Sequence, residues 1–280
     1  QLDVTGSINQ TILQSMISTN PEIVVRDQLT LGPNQIMFNL DKKPFDDYRV
    51  RKAIAMGFDR EGMAKTFYDK YWLYTGPIPS MLFGGMYTEE AAKAIPYDPE
   101  AAKKLLAEAG YPNGFSVKML TTDGYSGQFT SMGQWLQEDL RKIGIDATLD
   151  YEDYTTYFAT FGKSDYDIGW GLSTSFLSAD EYLESLYMST GSRNWFGTND
   201  PKLDAMIIEQ RSELDKDKRE QQLQEINTYI LENVLTPFFG FQFSGLVSQQ
   251  PWVHGYYAHP SYGRVYMATL WLDSNAPTRK

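Results

Sequence analysis

The chain has 280 residues, 42% of them hydrophobic and 22% charged, which is enough to bury one large core or two smaller ones. Its formal charge of -11 speaks against a nucleic-acid partner, whose phosphates need a Lys/Arg surface, and the absence of cysteine excludes disulfides and thiolate metal sites. No apolar run approaches the about 20 residues that span a bilayer.

In chain order, Ile8, Ile12, Leu13, Met16 and Ile17 mark a helix closed by Pro21, and strands are expected at Val24–Val25 and Ile36–Leu40. Asp46-Asp47 starts a helix whose buried stripe is Val50, Ala53 and Ile54, and Asp59 caps a second one running to about Tyr68. Residues 75–87, with two prolines and three glycines, read as a long loop. Asp98-Pro99 supplies an N-cap acceptor and an N1 proline before Ala101–Ala109, and Gly110 stands where a left-handed C-cap belongs. Ser116–Thr121, a helix over 128–143 stopped by Gly144, Ile145–Tyr151, a helix over 154–161 and Tyr166–Gly171 then alternate strand, helix, strand, helix, strand. That alternation is the pattern of a parallel α/β layer. Helices follow at Asp180–Met188, Pro201–Leu214 (capped by Asp200) and Asp217–Val234, and strands return near Phe238–Phe243 and Arg264–Leu270.

The search for catalytic chemistry finds little. His254 and His259 are the only histidines, spaced i to i+5 among Pro, Gly and Tyr residues, where a zinc helix needs i to i+4 and a third ligand. There is no Gly-x-Ser-x-Gly elbow, no dinucleotide or P-loop glycine string, and no thiol. Acids such as Asp123, Glu152, Asp153, Asp165, Asp167, Asp180 and Glu181 leave a carboxylate-dependent hydrolase as an alternative, although such pairs in an acidic protein are usually solvated surface. No cofactor is implied.

Binding is easier to place. Ligands of open α/β sheets sit beyond the carboxyl ends of the strands, here Thr121–Tyr125 and Trp170–Phe176. Thr122, Asp123 and Tyr125 in one loop, and Trp170, Gly171, Ser173, Thr174 and Ser175 in the other, combine a flat ring with short polar groups, as orientation-specific pockets do. Ordinary turn chemistry accounts for the same residues equally well. Asp180, Asn194 and Trp195 complete the set of candidate ligand-binding residues, with an N-cap as the competing role for Asp180.

Several stretches carry a resemblance. Phe38-Asn39, the string Pro44-Phe45-Asp46-Asp47-Tyr48-Arg49-Val50-Arg51-Lys52-Ala53-Ile54, Asp59-Arg60, Tyr97-Asp98-Pro99-Glu100-Ala101-Ala102-Lys103-Lys104-Leu105-Leu106 and Asn199-Asp200-Pro201-Lys202-Leu203-Asp204 resemble the extracellular solute-binding proteins of family 5, which include dipeptide, oligopeptide and nickel binders. The resemblance runs from about Gln35 to Asp273 and matches the C-terminal half of the family's two-lobed flytrap. It implies a periplasmic-binding-protein-like lobe (type II, cluster C-like) with a mixed sheet flanked by helices. Residues 1–35 would be a remnant of the first lobe and its crossover, 36–245 the second lobe, and 246–280 a return toward the first; Gln1 would be an internal start. The implied function is the periplasmic or extracellular substrate-binding component of an ABC importer, anchored as a lipoprotein in its full-length form. Its partners would be permease subunits, the N-terminal lobe and a peptide or other small polar ligand such as an oligosaccharide. A sensor module using the same fold stays open. In peptide-binding members a Gly-Trp pair is followed, three residues after the Trp, by an Asp that receives the peptide ammonium. Gly169-Trp170 matches the pair, whereas Ser173 stands in the Asp position. A neutral hydroxyl cannot make the charge-assisted bond, and suits a neutral hydroxylated ligand at least as well.

Overall fold

The computed structural model describes residues 4, 10–29, 34–70, 72–79, 82, 94–125, 127–172, 175–236, 238–256 and 269–277. Helix α1 (Gln10–Thr19) leads into strands β1 (Val24–Leu29) and β2 (Asn34–Phe38). Helices α2 (Tyr48–Gly57) and α3 (Arg60–Tyr68), a short β3 (Trp72–Leu73) and α4 (Pro99–Glu108) follow. Next come β4 (Phe115–Thr122), α5 (Gly127–Lys142), β5 (Ile145–Glu152), α6 (Tyr154–Gly162) and β6 (Ile168–Leu172). The remainder is α7 (Ala179–Tyr182), α8 (Pro201–Arg211), α9 (Lys216–Tyr229), β7 (Phe238–Gln249), β8 (Val253–His254) and β9 (Trp271–Leu272).

The caps expected from sequence are in place. Asp47 accepts from Arg49 N, Asp59 from Gly62 N, Asp98 from Ala101 N, and Asp200 from Lys202 N and Leu203 N. Each satisfies an orphan amide of a first turn. Gly110 and Gly144 take left-handed φ of +98° and +90° at the stops after α4 and α5. Asp180 is not the cap of its helix. Ser178 Oγ accepts from Glu181 N instead, while Asp180 Oδ1 accepts from Gln210 Nε2 at 2.8 Å and Oδ2 lies 3.4 Å from Arg211 Nε. Beyond Tyr182 and Tyr229 the predicted helices widen into π-helical turns, Leu183–Tyr187 and Ile230–Val234. Hydrophobic periodicity marks the buried face of a helix but does not separate i+4 from i+5 bonding.

The main sheet runs β1-β7-β2-β6-β4-β5, with β3 paired to β7. β4 is parallel to β5 and β6, while β2/β6, β2/β7 and β1/β7 are antiparallel. The sheet is therefore mixed, a parallel half joined through β6 to an antiparallel half. Strand β7 is twice as long as its apolar run suggested, because β1 pairs with it residue for residue from Val24↔Gln249 to Leu29↔Ser244. Of the strand expected at 264–270, residues 264–268 lie outside the described residues; β9 pairs with β8 just after them. There His254 Nε2 lies 2.8 Å from Asp273 Oδ2 and its ring stacks on Trp271. His259 also lies outside the described residues.

Two cores cover the two sheet faces. Ile36, Phe38, Met119, Ile168 and Trp170 pack under α2, α3, α4 and α5, while Met37 and Leu120 pack with Tyr157, Phe161 and Tyr166 and with the helices after β6. Arg51, 4% exposed, ties the first core to the end of the last π turn by donating to the carbonyls of Phe45, Asn233 and Val234. The α2–α3 turn is tied to α5 through Asp139, 1% exposed, whose Oδ2 accepts from Asp59 N (2.8 Å) and Oδ1 from Lys142 Nζ (2.7 Å). Burial outweighs both bonds and holds its carboxyl above the ordinary value of 3.8. The folded protein then keeps this proton to higher pH than the unfolded chain does. The contribution of Asp139 to stability is greatest below pH 3.8 and falls as pH rises through the folded value. Asp139→Asn should flatten that part of the stability–pH curve, and Asp139→Ala should cost about 2 kcal/mol at neutral pH, read by urea unfolding, because it strands the Asp59 amide.

Candidate ligand site at the carboxyl edge of the sheet

The topology marks out one edge of the sheet. The loop leaving β4 passes to the face covered by α5, while the chain leaving β6, its neighbour, passes to the opposite face, where Ala179 and Tyr182 are buried. Adjacent strands whose exits diverge mark the point at which open α/β sheets bind ligands.

On the β4 side, Asp123 is exposed at the rim and Tyr125 is half-buried behind it. The Tyr125 ring meets Phe129 edge-on at 4.9 Å, Tyr154 at 5.4 Å and Tyr157 at 6.3 Å. Burial pushes its phenol well above the ordinary value, so it stays a neutral donor and acceptor at physiological pH. Tyr154, the first residue of α6, is 47% exposed and adds a ring that sequence reading did not single out. Asp153 caps that helix through Thr155 N and Thr156 N, so its carboxylate is already engaged.

On the β6 side, Ser173 and Thr174 lie outside the described residues, and Ser175 is half-buried. Trp170 is not an open wall of the crevice. It is 0% exposed, stacked on Phe129 at 5.8 Å and edge-on to Phe58 at 6.1 Å. Gly171 serves the opposite face: a Cβ there would stand 2.1 Å from Tyr157 Oη, and one at Gly169 would stand 2.6 Å from Phe161 Cζ. The Gly-Trp-Gly alternation thus sends one large ring into the first core and leaves the second face bare for the rings of α6.

The remaining candidates are not brought to this edge. Asn194 closes a turn, accepting from Thr198 N at 2.9 Å and donating to Thr198 O at 2.7 Å. The Trp195 carbonyl accepts from Ser164 Oγ and Tyr166 Oη beside the amino end of β6. Its ring lies under the Arg193 guanidinium at 5.6 Å. Asp180 is held by Gln210 and Arg211 as described above. Sequence reading also missed Asn34 and Gln35, which open β2 opposite Leu172 and Gly171 and are 0% and 4% exposed. Two amides beginning an otherwise apolar strand were the available signal. Among the described residues no group of three His, Asp or Glu side chains is placed to hold a metal ion, and no helix is long and apolar enough to cross a membrane.

Comparison with known proteins agrees with this architecture. The model of bacterial extracellular solute-binding proteins, family 5, matches residues 1–194. Heme-binding protein A of Haemophilus influenzae is 28% identical over 212 residues, 72% of this chain and 38% of that protein. The glutathione-binding protein GsiB of Escherichia coli is 30% identical over 191 residues, 65% of this chain and 35% of that protein. The structure of MoaA from A. tumefaciens R10 in complex with mannopinic acid superposes with a TM-score of 0.80 at 27% identity, covering 97% of this chain and 56% of that one. The chain therefore spans under two fifths of the length of these curated relatives.

Since the Trp170 ring fills the core, Trp170→Ala should cost about 3–5 kcal/mol of unfolding free energy in chemical denaturation. Gly171→Ala should cost about 1–3 kcal/mol in the same measurement through the clash with Tyr157.

Proposed function

Because the chain belongs to the bacterial extracellular solute-binding proteins, family 5, we propose that it is the ligand-binding lobe of an ABC importer's extracytoplasmic binding component, which closes on a peptide or other small polar oligomer. The family is one of binding proteins, and the divergence of the chain exits from β4 and β6 is the observation that carries the reading for this chain. It offers rings and neutral hydroxyls at the sheet's carboxyl edge, with Asp123 at the rim, and the carboxylates of Asp153 and Asp180 are already engaged. Relatives named for heme and for glutathione, and a similar structure that holds mannopinic acid, support a scaffold whose ligand chemistry is set by local side chains.

In this reading the second wall of the cleft belongs to a lobe outside this chain, the permease subunits receive the closed form, and a lipid anchor holds the whole protein at the membrane. Closure of two lobes over the ligand would exclude water from the polar contacts and strengthen them. Tyr125 and Tyr154 would offer flat faces with hydroxyl tips, and the 173–175 segment short hydroxyls.

Native mass spectrometry of the full-length protein, purified without denaturation, tests this. A discrete non-covalent adduct of peptide or polyhydroxylated mass is the expected result. A protein that carries none, and that binds no member of a peptide and oligosaccharide panel by calorimetry, would overturn the reading. Ser173→Asp should shift preference toward ligands with a free amino group by about tenfold, since an ammonium gains a charge-assisted bond. Parallel titrations with a peptide and its N-acetylated form check it.

A further inference from the structure

A cavity of about 480 Å³ opens at the end of the sheet opposite the candidate ligand site, lined by Glu61 and Lys65 of α3, by Tyr74, and by Pro96 and Tyr97 ahead of α4. Its position follows from α5. That helix ends at Lys142, just before β5 begins at Ile145, so its last turn lies at the amino ends of the parallel strands. Asp139 of that turn accepts from Asp59 N, which brings the start of α3 to the same end. Contacts between distant segments set the walls. Arg60, 6% exposed, donates to Ile95 O at 2.8 Å and holds its guanidinium 5.3 Å from the ring centroids of both Tyr74 and Phe238. Tyr74 Oη donates to Glu61 Oε2, and Asp98 N donates to Met56 O at 2.8 Å, so Pro96 and Tyr97 are tied down on either side. A site shaped before its ligand arrives loses little to ordering, and small-molecule pockets span roughly 300–1,000 Å³.

The lining is dipolar and aromatic. Glu61 and Lys65 stand one helical turn apart, joined at 2.6 Å as an exposed i,i+4 pair. Such a pair contributes little, so either partner exchanges readily for a countercharge on a ligand. Tyr97, 42% exposed, and the half-buried Tyr74 add ring surface, while Asp59 Oδ1 is engaged by Gly62 N. We propose that this cavity is a second small-molecule site, which takes an aromatic α-amino acid. The ammonium replaces Lys65 on Glu61 Oε1, the carboxylate takes the Lys65 ammonium, and the ring packs against Tyr74 and Tyr97. A ligand of single charge satisfies one member of the Glu61–Lys65 pair and deprives the other of its partner. The proposal does not rest on the binding reading given for the carboxyl edge.

Calorimetric titration of the full-length protein with L-tryptophan tests this, beside tryptamine, which lacks the carboxylate, and indolepropionate, which lacks the ammonium. L-Tryptophan should bind one to one, and each of the other probes should bind about tenfold more weakly, having lost one charge-assisted hydrogen bond. Lys65→Met should weaken L-tryptophan by about tenfold and Tyr97→Ala by about fivefold. Both positions are exposed, so ligand-free melting should stay close to wild type. The probe comparison needs no variant and decides the matter if either substitution disturbs the fold. No saturable binding of L-tryptophan overturns the proposal, and so do equal affinities for the three probes. Binding that both variants retain in full overturns it too, because the amino acid then sits elsewhere, the carboxyl edge included. None of these results bears on the importer reading, which the mass of the co-purified ligand decides.

Discussion

Strand β6 has to satisfy two cores at once, and much of the molecule follows from how it does so. Its central residue places a tryptophan, the largest fully buried side chain among the described residues, on one face, and the glycines on either side leave the other face without side chains. Close packing leaves no slack for compromise. The indole is locked between Phe58 and Phe129, and the Tyr157 and Phe161 rings occupy the space that any β-carbon at Gly169 or Gly171 would need. Because β6 also joins the parallel strands to the antiparallel ones, this alternation couples α5, α6 and β2 through a single five-residue segment.

The same constraint positions the candidate site. Tyr125, in the loop after β4, reaches Phe129 of α5 on one side and Tyr154 and Tyr157 of α6 on the other, so the crevice edge is buttressed by both layers. A rim supported in this way keeps its hydroxyls and rings in fixed directions, which a binding site needs if contacts are not to be weakened by ordering costs. Asp153 is spent on the cap of α6, while Asp123 stands exposed at the rim. The edge thus combines aromatic rings and hydroxyls with one exposed carboxylate.

The family string around Asp47 and Arg51 shows how a motif can be structural. Asp47 caps α2, and Arg51 reaches three carbonyls, one at nearby Phe45 and two at the distant Asn233 and Val234, which fastens α2 to the π turn that precedes β7. A buried guanidinium with several carbonyl partners is costly to lose and hard to replace, because only its planar fork reaches them together. These residues hold the helical layer to the sheet and lie away from the carboxyl edge of β4 and β6.

Local rules in the sequence determined the element order, the caps at Asp47, Asp59, Asp98 and Asp200, the stops at Gly110 and Gly144, and the α/β class. Each depends on residues within one turn of each other, so short-range chemistry suffices. The carboxyl edge was legible for the same reason, since strand direction and a crossover helix locate it. What only the tertiary structure decided depends on partners far apart in the chain. The second half of β7 exists because β1 lies beside it, and Asp180 answers to Gln210 and Arg211, leaving the cap to Ser178. Trp170 turns into the core because Phe58, Phe129 and Gly133 make room for it. Asn34 and Gln35 join it at the edge through a register that no local pattern encodes. A strand's sequence says which residues share a face; only the pairing says which of them face each other, and over what.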